Sequence, residues 1–225
     1  IYDKLVTLLY EDRNLWSKAF TWSGKAMELS RANDNIKKIN QETFAASSEY
    51  KTYNDYRMMI DSKATLSRRQ SMKNQMLRQP MPMGKLHNKD GKVIELSSFL
   101  GKTLIIDFWA TWCGPCRASF PAMQKLYDKY KNNSKVEFLI VNCWERSDDK
   151  KKVVDEFIAK NNYTFPVYFD ENDVFAKSLG VTGIPAKFFV SPTGLIQFKE
   201  SGFQGEAKFI EEGIDKIELL QSDIQ

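Results

Sequence analysis

Two cysteines three residues apart, Cys113 and Cys116, follow the run Thr103-Leu104-Ile105-Ile106-Asp107-Phe108-Trp109. The run is apolar, rich in β-branched residues and preceded by Gly101, which is the pattern of a central strand buried on both faces. A helix begins after it, so the pair occupies a strand-to-helix corner, where this spacing reads as a redox motif. Cys113 stands at the helix start, where unpaired backbone N–H groups and the positive end of the dipole favour a thiolate. Cys116 lies one turn further in, close enough for the two sulfurs to close a small disulfide. Pro115 takes a first-turn position at which a missing N–H costs nothing. Only a thiolate attacks a disulfide, and a free cysteine with a pKa of about 8.5 is mostly protonated at neutral pH. Cys113 is therefore the expected nucleophile, and Cys116 the thiol that resolves the mixed disulfide.

Asp107 is the second candidate, because a carboxylate inside an apolar strand has its pKa raised by loss of water. A zinc site is a poor alternative for the cysteines. The chain has three Cys in all, and the remaining ligands are Cys143 and the single histidine, His87. Cys143 closes a second apolar run and reads as a small hydrophobe, and His87 as a surface residue near a turn.

Phe108-Trp109-Ala110-Thr111-Trp112-Cys113-Gly114-Pro115-Cys116, with Pro121 five residues on, resembles the active site of the thioredoxin superfamily. A second stretch, Gly180-Val181-Thr182-Gly183-Ile184-Pro185, followed by Ala186 to Val190, resembles that superfamily's cis-proline loop. The resemblance covers roughly residues 84–222, and in layout it is nearest to the exported TlpA/ResA-like thiol-disulfide oxidoreductases. It implies that Pro185 follows a cis bond and faces the cysteines. Substrate backbone would then lie against Ile184 as a short added strand. Trp109 and Trp112 would flank the site as apolar contacts for substrate, with Trp109 open to a core role as well. Asp107 would match the buried aspartate that helps move the proton of Cys116. The lysine that thioredoxins place on a neighbouring strand is missing from the expected position, where Ile140 or Val141 stands.

The elements that must position these residues follow from the pattern. Residues 1–78 read as a small helical domain. A first helix ends at Ser23-Gly24, a second runs from Lys25 to Phe44, and a third is capped by Ser47-Ser48. Residues 79–83, Gln-Pro-Met-Pro-Met, read as a linker, because alternate prolines oppose both helix and ladder. Residues 84–225 alternate strands with helices and end in a hairpin around Ser191-Pro192-Thr193-Gly194 and a last helix from Glu206 to Gln221. The expected class is α/β: a thioredoxin fold with a mixed sheet flanked by helices and a TlpA/ResA-like insertion, preceded by a small all-α domain.

Length and charge bound the function. At 225 residues there is room for one thioredoxin-sized domain and one smaller one. Residues 1–79 carry 14 Lys and Arg against 9 Asp and Glu, while the remainder carries 19 against 20, so the basic excess belongs to the front. Without interleaved aromatics this reads as a solvated helix face, and no nucleic-acid partner is expected. No apolar run approaches a membrane span of about 18 residues, and a chain starting at Ile1 is read as processed or trimmed.

The expected function is reduction of protein disulfides through Cys113 and Cys116, with no cofactor beyond that redox-active disulfide. The resemblance implies a periplasmic or otherwise extracytoplasmic setting in a bacterium and a membrane-bound electron donor. The helical domain would serve as spacer, substrate platform or homodimer surface. A disulfide isomerase or oxidase, and a non-catalytic binding module for unfolded chains, remain as alternatives.

Overall fold

The computed structural model describes residues 1–46 and 50–222, and the chain divides into two compact units, Ile1–Gln75 and Met76–Gln225.

The first unit is helical: α1 (Tyr2–Glu11), α2 (Trp16–Glu28), α3 (Asp34–Thr43) and α4 (Tyr53–Asn74). The single first helix expected from periodicity is two. Asp12 leaves the helical region, and its side chain accepts the Asn14 N–H at 2.9 Å to start a short 3-10 turn before α2. Ser23 and Gly24 do not end α2 but lie buried inside it. Small residues are needed there because a Cβ on Gly24 would overlap the Tyr56 hydroxyl of α4. Around this contact Asn40 donates to Ser23 Oγ at 2.9 Å and to Tyr56 Oη at 3.2 Å, while Tyr53 donates to Asn40 Oδ1 at 3.2 Å. Phe20, Met27, Tyr56 and Ile60 pack about this polar centre.

The helix actually ends where Ser30 takes φ 53° and the Arg31 N–H reaches back to the Ala26 carbonyl, a left-handed stop of the usual kind. Ser47 and Ser48, expected as the cap of the next long helix, lie outside the described residues. The cap of α4 is Thr52, whose hydroxyl accepts the Asp55 N–H at 3.1 Å. None of residues 61–74 in α4 is buried, so the basic run there has its place on an exposed stretch of helix.

The second unit contains β1 (Gln79–Pro80), β2 (Lys85–Asn88), β3 (Val93–Glu95), β4 (Thr103–Trp109), α5 (Gly114–Tyr130), β5 (Val136–Asn142), α6 (Lys150–Lys160), β6 (Val167–Phe169), α7 (Val174–Ser178), β7 (Ala186–Val190), β8 (Leu195–Ser201) and α8 (Glu206–Ser222). Among the described residues these eight strands form one mixed sheet in the order β1-β8-β7-β4-β5-β6-β2-β3. It is parallel across β4, β5 and β6 and antiparallel elsewhere.

Residues 79–83 are not a free linker. Gln79 and Pro80 pair with Ile196 and Leu195 at the sheet edge, and Met81 is buried. An edge strand tolerates proline because half its backbone needs no partner. The ladder-side N–H groups here are those of Leu77 and Met81, which donate to Gln197 and Gly194 at 2.9 Å.

All seven residues of β4 are buried. Leu104, Ile106 and Phe108 enter one core with Phe175, Phe188 and Val190, while Trp109 on the opposite face packs on Phe120 of α5 with ring centroids 4.7 Å apart. This two-sided burial is the physical basis of the continuous apolar run in the sequence.

Gly24→Ala is expected to lower the stability of the helical unit by about 1–3 kcal/mol, since a well-packed core resists an added methyl. Thermal or denaturant unfolding followed by the near-ultraviolet signal of the tyrosines measures it, and an unchanged midpoint would show that the Gly24–Tyr56 contact is not made.

Candidate active site

The C-terminal end of β4 delivers the cysteines. Cys113 is the N-cap of α5, Gly114 and Pro115 form its first turn, and the Cys116 N–H donates to Cys113 Sγ at 3.2 Å. The sulfurs are joined in a disulfide with the Cα atoms 5.3 Å apart. Cys113 is 3% exposed and Cys116 fully buried, so an attacking or leaving group can reach the pair only at Cys113. The Ile184–Pro185 peptide bond is cis, and Cys113 Sγ lies 3.6 Å from the Ile184 carbonyl oxygen. The loop before β7 and the start of α5, 71 residues apart in sequence, are thus brought together at the reactive sulfur.

Trp112, immediately before Cys113, is 40% exposed. Trp109, expected beside it as a substrate contact, is fully buried between Phe120 and Phe157. Alternation along the strand decides this: position 109 shares the inward face with positions 105 and 107 and points under α5 rather than out of the site. Trp109 is a packing residue, not a substrate-binding one.

Asp107 is fully buried on that face. Ile140 stands opposite it on β5, as the sequence indicated, but the other neighbouring strand places Lys187 directly across from it. Lys187 Nζ lies 3.3 Å from Asp107 Oδ1, with the two side chains 1% and 0% exposed. The buried cation that the sequence reading found missing is supplied by β7 instead. Its signal was present, as a lysine two residues after Pro185 within five consecutive buried positions. What the sequence could not show is the antiparallel register that pairs 187 with 107. The stem of Lys187 runs beneath α8, with Nζ 5.5 Å from the Phe209 ring centroid, and Glu200 of β8 stands opposite Lys187 in register. Burial pushes the Asp107 carboxyl up to about 6, Lys187 pulls against that rise and Glu200 adds to it.

A third segment completes the rim. Residues 144–146, between β5 and α6, were not singled out by sequence because they match no motif. The Trp112 indole N–H donates to the Trp144 carbonyl at 2.8 Å. Trp144 holds φ 53°, and its own N–H donates to Asp173 Oδ1 at 2.8 Å. The Glu145 carboxylate accepts the backbone N–H of Thr111 at 2.9 Å and Asn142 Nδ2 at 3.2 Å. Burial pushes the Glu145 carboxyl up, but the hydrogen bonds from Thr111, Asn142 and the Arg146 N–H outweigh it and hold the group below the ordinary carboxylate range. Arg146 lies over the Trp112 ring, with its guanidinium carbon 4.1 Å from the centroid.

Cys143 is buried in the apolar core, where loss of water and nearby carboxylates push its thiol up and disfavour a thiolate. Among the described residues no three His, Cys, Asp or Glu side chains converge to hold a metal ion.

Comparison with known proteins places this geometry among relatives. The AhpC/TSA family matches residues 77–199. A thiol-disulfide oxidoreductase ResA of Oceanobacillus iheyensis is 38% identical over 108 residues, 48% of this chain and 54% of that protein. A second, from Bacillus thuringiensis subsp. konkukian, is 34% identical over 128 residues, 57% of this chain and 70% of the relative. The chain therefore spans between about half and about two thirds of the length of these curated relatives. A crystal structure from Chlorobium tepidum, described as a thiol:disulfide interchange protein DsbE, superposes with a TM-score of 0.55 at 31% identity and covers 64% of this chain and 96% of that one.

Lys187→Met is expected to raise the Asp107 midpoint further above 6 and to carry the pH dependence of the thiol exchange in the same direction, because the nearest compensating charge is gone. Since the folded value already exceeds the roughly 3.9 of an unfolded chain, protonated Asp107 favours the fold. That contribution is complete below about pH 4 and disappears as pH rises through 6. Carboxyl carbon shifts followed by NMR titration report the midpoint, and an identical curve in the variant would show that the pair does not interact.

Proposed function

We propose a dithiol–disulfide exchange for this chain, which belongs to the AhpC/TSA family of the thioredoxin superfamily. The observation that carries the reading is the Cys113–Cys116 disulfide at the first turn of α5, with its outer sulfur against the Ile184-Pro185 loop.

In the reduced enzyme the N–H groups of the first helical turn and the positive helix end favour the Cys113 thiolate. It attacks one sulfur of a substrate disulfide, forming a mixed disulfide and expelling the other substrate sulfur, which takes up a proton. Cys116 then gives up its proton and attacks Cys113 Sγ. The bond between enzyme and substrate breaks, and the second substrate thiol leaves. The substrate gains two electrons and two protons, and the enzyme is left as the disulfide. A dithiol donor must reduce that bond again to close the cycle.

Asp107 is the proton acceptor that fits the second step. A carboxyl held at about 6 is largely ionised at neutral pH yet basic enough to take up a proton, and it shares the face of β4 that packs against α5. Trp112 and the edge of Ile184 and Pro185 would take the substrate segment, with backbone pairing along Ile184. We place this work on protein disulfides outside the cytoplasm of a bacterium, with a membrane-bound donor. The relatives named ResA and the exported TlpA/ResA-like layout support that setting. No helix among the described residues is long and apolar enough to cross a membrane.

Cys113→Ser is expected to abolish reduction of insulin by dithiothreitol above background, and Cys116→Ser to accumulate a mixed disulfide with substrate that mass spectrometry can resolve. Retained turnover in the first variant would remove Cys113 from the chemistry, and absence of any trapped adduct in the second would deny Cys116 its resolving role.

The reductive direction is tested by the potential of the 113/116 couple. Gly114-Pro115 resembles reducing members, so a value near the about −270 mV of thioredoxin is expected. Equilibration with glutathione buffers yielding a value near the about −120 mV of a strong oxidant would reverse the assigned direction.

A further inference from the structure

Beside the disulfide stands a cation that no carboxylate among the described residues balances. The Arg146 guanidinium lies 4.1 Å from the centroid of Trp112, the exposed ring that precedes Cys113. Its position is set from two sides. The Trp112 indole is tied to the Trp144 carbonyl, and Trp144 is tied in turn to Asp173. Of the three carboxylates within three residues of Arg146, two are committed elsewhere, and the exposed Asp148 makes no ion pair with it. Glu145 accepts the Thr111 and Arg146 backbone N–H groups and Asn142 Nδ2, and Asp149 caps α6 by accepting the Lys152 N–H. Among the described residues no carboxylate lies within ion-pair distance of the Arg146 side chain, which is exposed.

Stacking of this kind removes much of the freedom of a long side chain while leaving the edge of the guanidinium, with its N–H donors, free to meet an acceptor. A planar fork held in that way suits a carboxylate, which it can engage through two parallel hydrogen bonds. The left-handed backbone at Trp144 and at Asp173 shows that the segment is held in a conformation L-residues seldom adopt, and such geometry persists where surrounding contacts over-determine it.

We infer that Arg146 is a substrate-binding residue that selects disulfides flanked by acidic residues, pairing with an Asp or Glu side chain of the polypeptide whose cysteine is attacked by Cys113. The inference rests on the exchange reading above and adds the substrate class to it. Recognition comes from charge complementarity at the rim of the site, so it acts on encounter and alignment and weakens with salt.

The experiment compares two synthetic disulfide peptides that are identical except for Asp or Asn on either side of the cysteine, reduced by the dithiol form of the full chain. For the wild type, kcat/KM for the Asp peptide is expected to exceed that for the Asn peptide by about fivefold at low ionic strength, the upper end for one exposed charge-assisted contact. The ratio should fall to about one in Arg146→Gln, invert in Arg146→Glu and be partly kept in Arg146→Lys, which retains the charge but not the stacked fork. A wild-type ratio near one overturns the inference, and so does a ratio that Arg146→Gln leaves unchanged. The second result would mean that Arg146 acts through Trp112 or the thiolate on all substrates alike. Failure of the wild type to reduce either peptide overturns the exchange reading together with this one, whereas equal reduction of both overturns this one alone.

Discussion

Strand β4 pairs with β5 on one side and with β7 on the other, and it is buried along its whole length. Its C-terminal end therefore cannot shift without unpacking both layers of the second unit. The corner that follows inherits this rigidity. Cys113 caps α5 just beyond the strand, and the first helical turn presents the Cys116 N–H to its sulfur. The Ile184-Pro185 loop reaches the same sulfur because β7 is the antiparallel neighbour of β4. The disulfide, the helix start that holds it and the cis-proline loop beside it are three consequences of how one strand is paired.

The same burial makes Asp107 expensive. A carboxylate and an ammonium removed from water lose more solvation than a simple ion pair recovers unless further hydrogen bonds form, and among the described residues Asp107 and Lys187 find none beyond their mutual contact. Such a pair is a poor source of stability. Its effect is to hold the carboxyl at about 6, balanced between loss of water, an adjacent cation and the Glu200 carboxylate. Register supplies the cation: β7 faces β4 with Lys187 opposite Asp107, and β8 faces β7 with Glu200 opposite Lys187.

The helical unit shows a related economy. Its centre is polar, with Asn40 bonded to Ser23, Tyr56 and Tyr53, and it closes only because Gly24 leaves room for a tyrosine hydroxyl. A satisfied network of this kind specifies how helices align more sharply than apolar contacts do, since each member must meet its partner. The break at Asp12 and the left-handed stop at Ser30 set the lengths of the helices that meet there.

Local chemistry was legible in the sequence. The cysteine spacing, the apolar run before it, the proline in the first turn and the Gly-Ile-Pro loop each express a short-range requirement, and together they identify the fold class and the disulfide pair. Short-range signals misled where a residue answers to a distant neighbour. Ser23-Gly24 has the composition of a helix end yet serves a close contact 32 residues away, Pro80 sits at an edge where its missing N–H does no harm, and Trp109 turns inward because of strand alternation. Lys187 and Arg146 belong to the site only through pairing and packing across the fold, by sheet register in one case and by stacking on Trp112 in the other. The sequence by itself determined that two sulfurs stand one turn apart at a helix start. The tertiary structure decided which charges surround them, because electrostatic neighbours are set by distance in space, and chain separation carries no record of it.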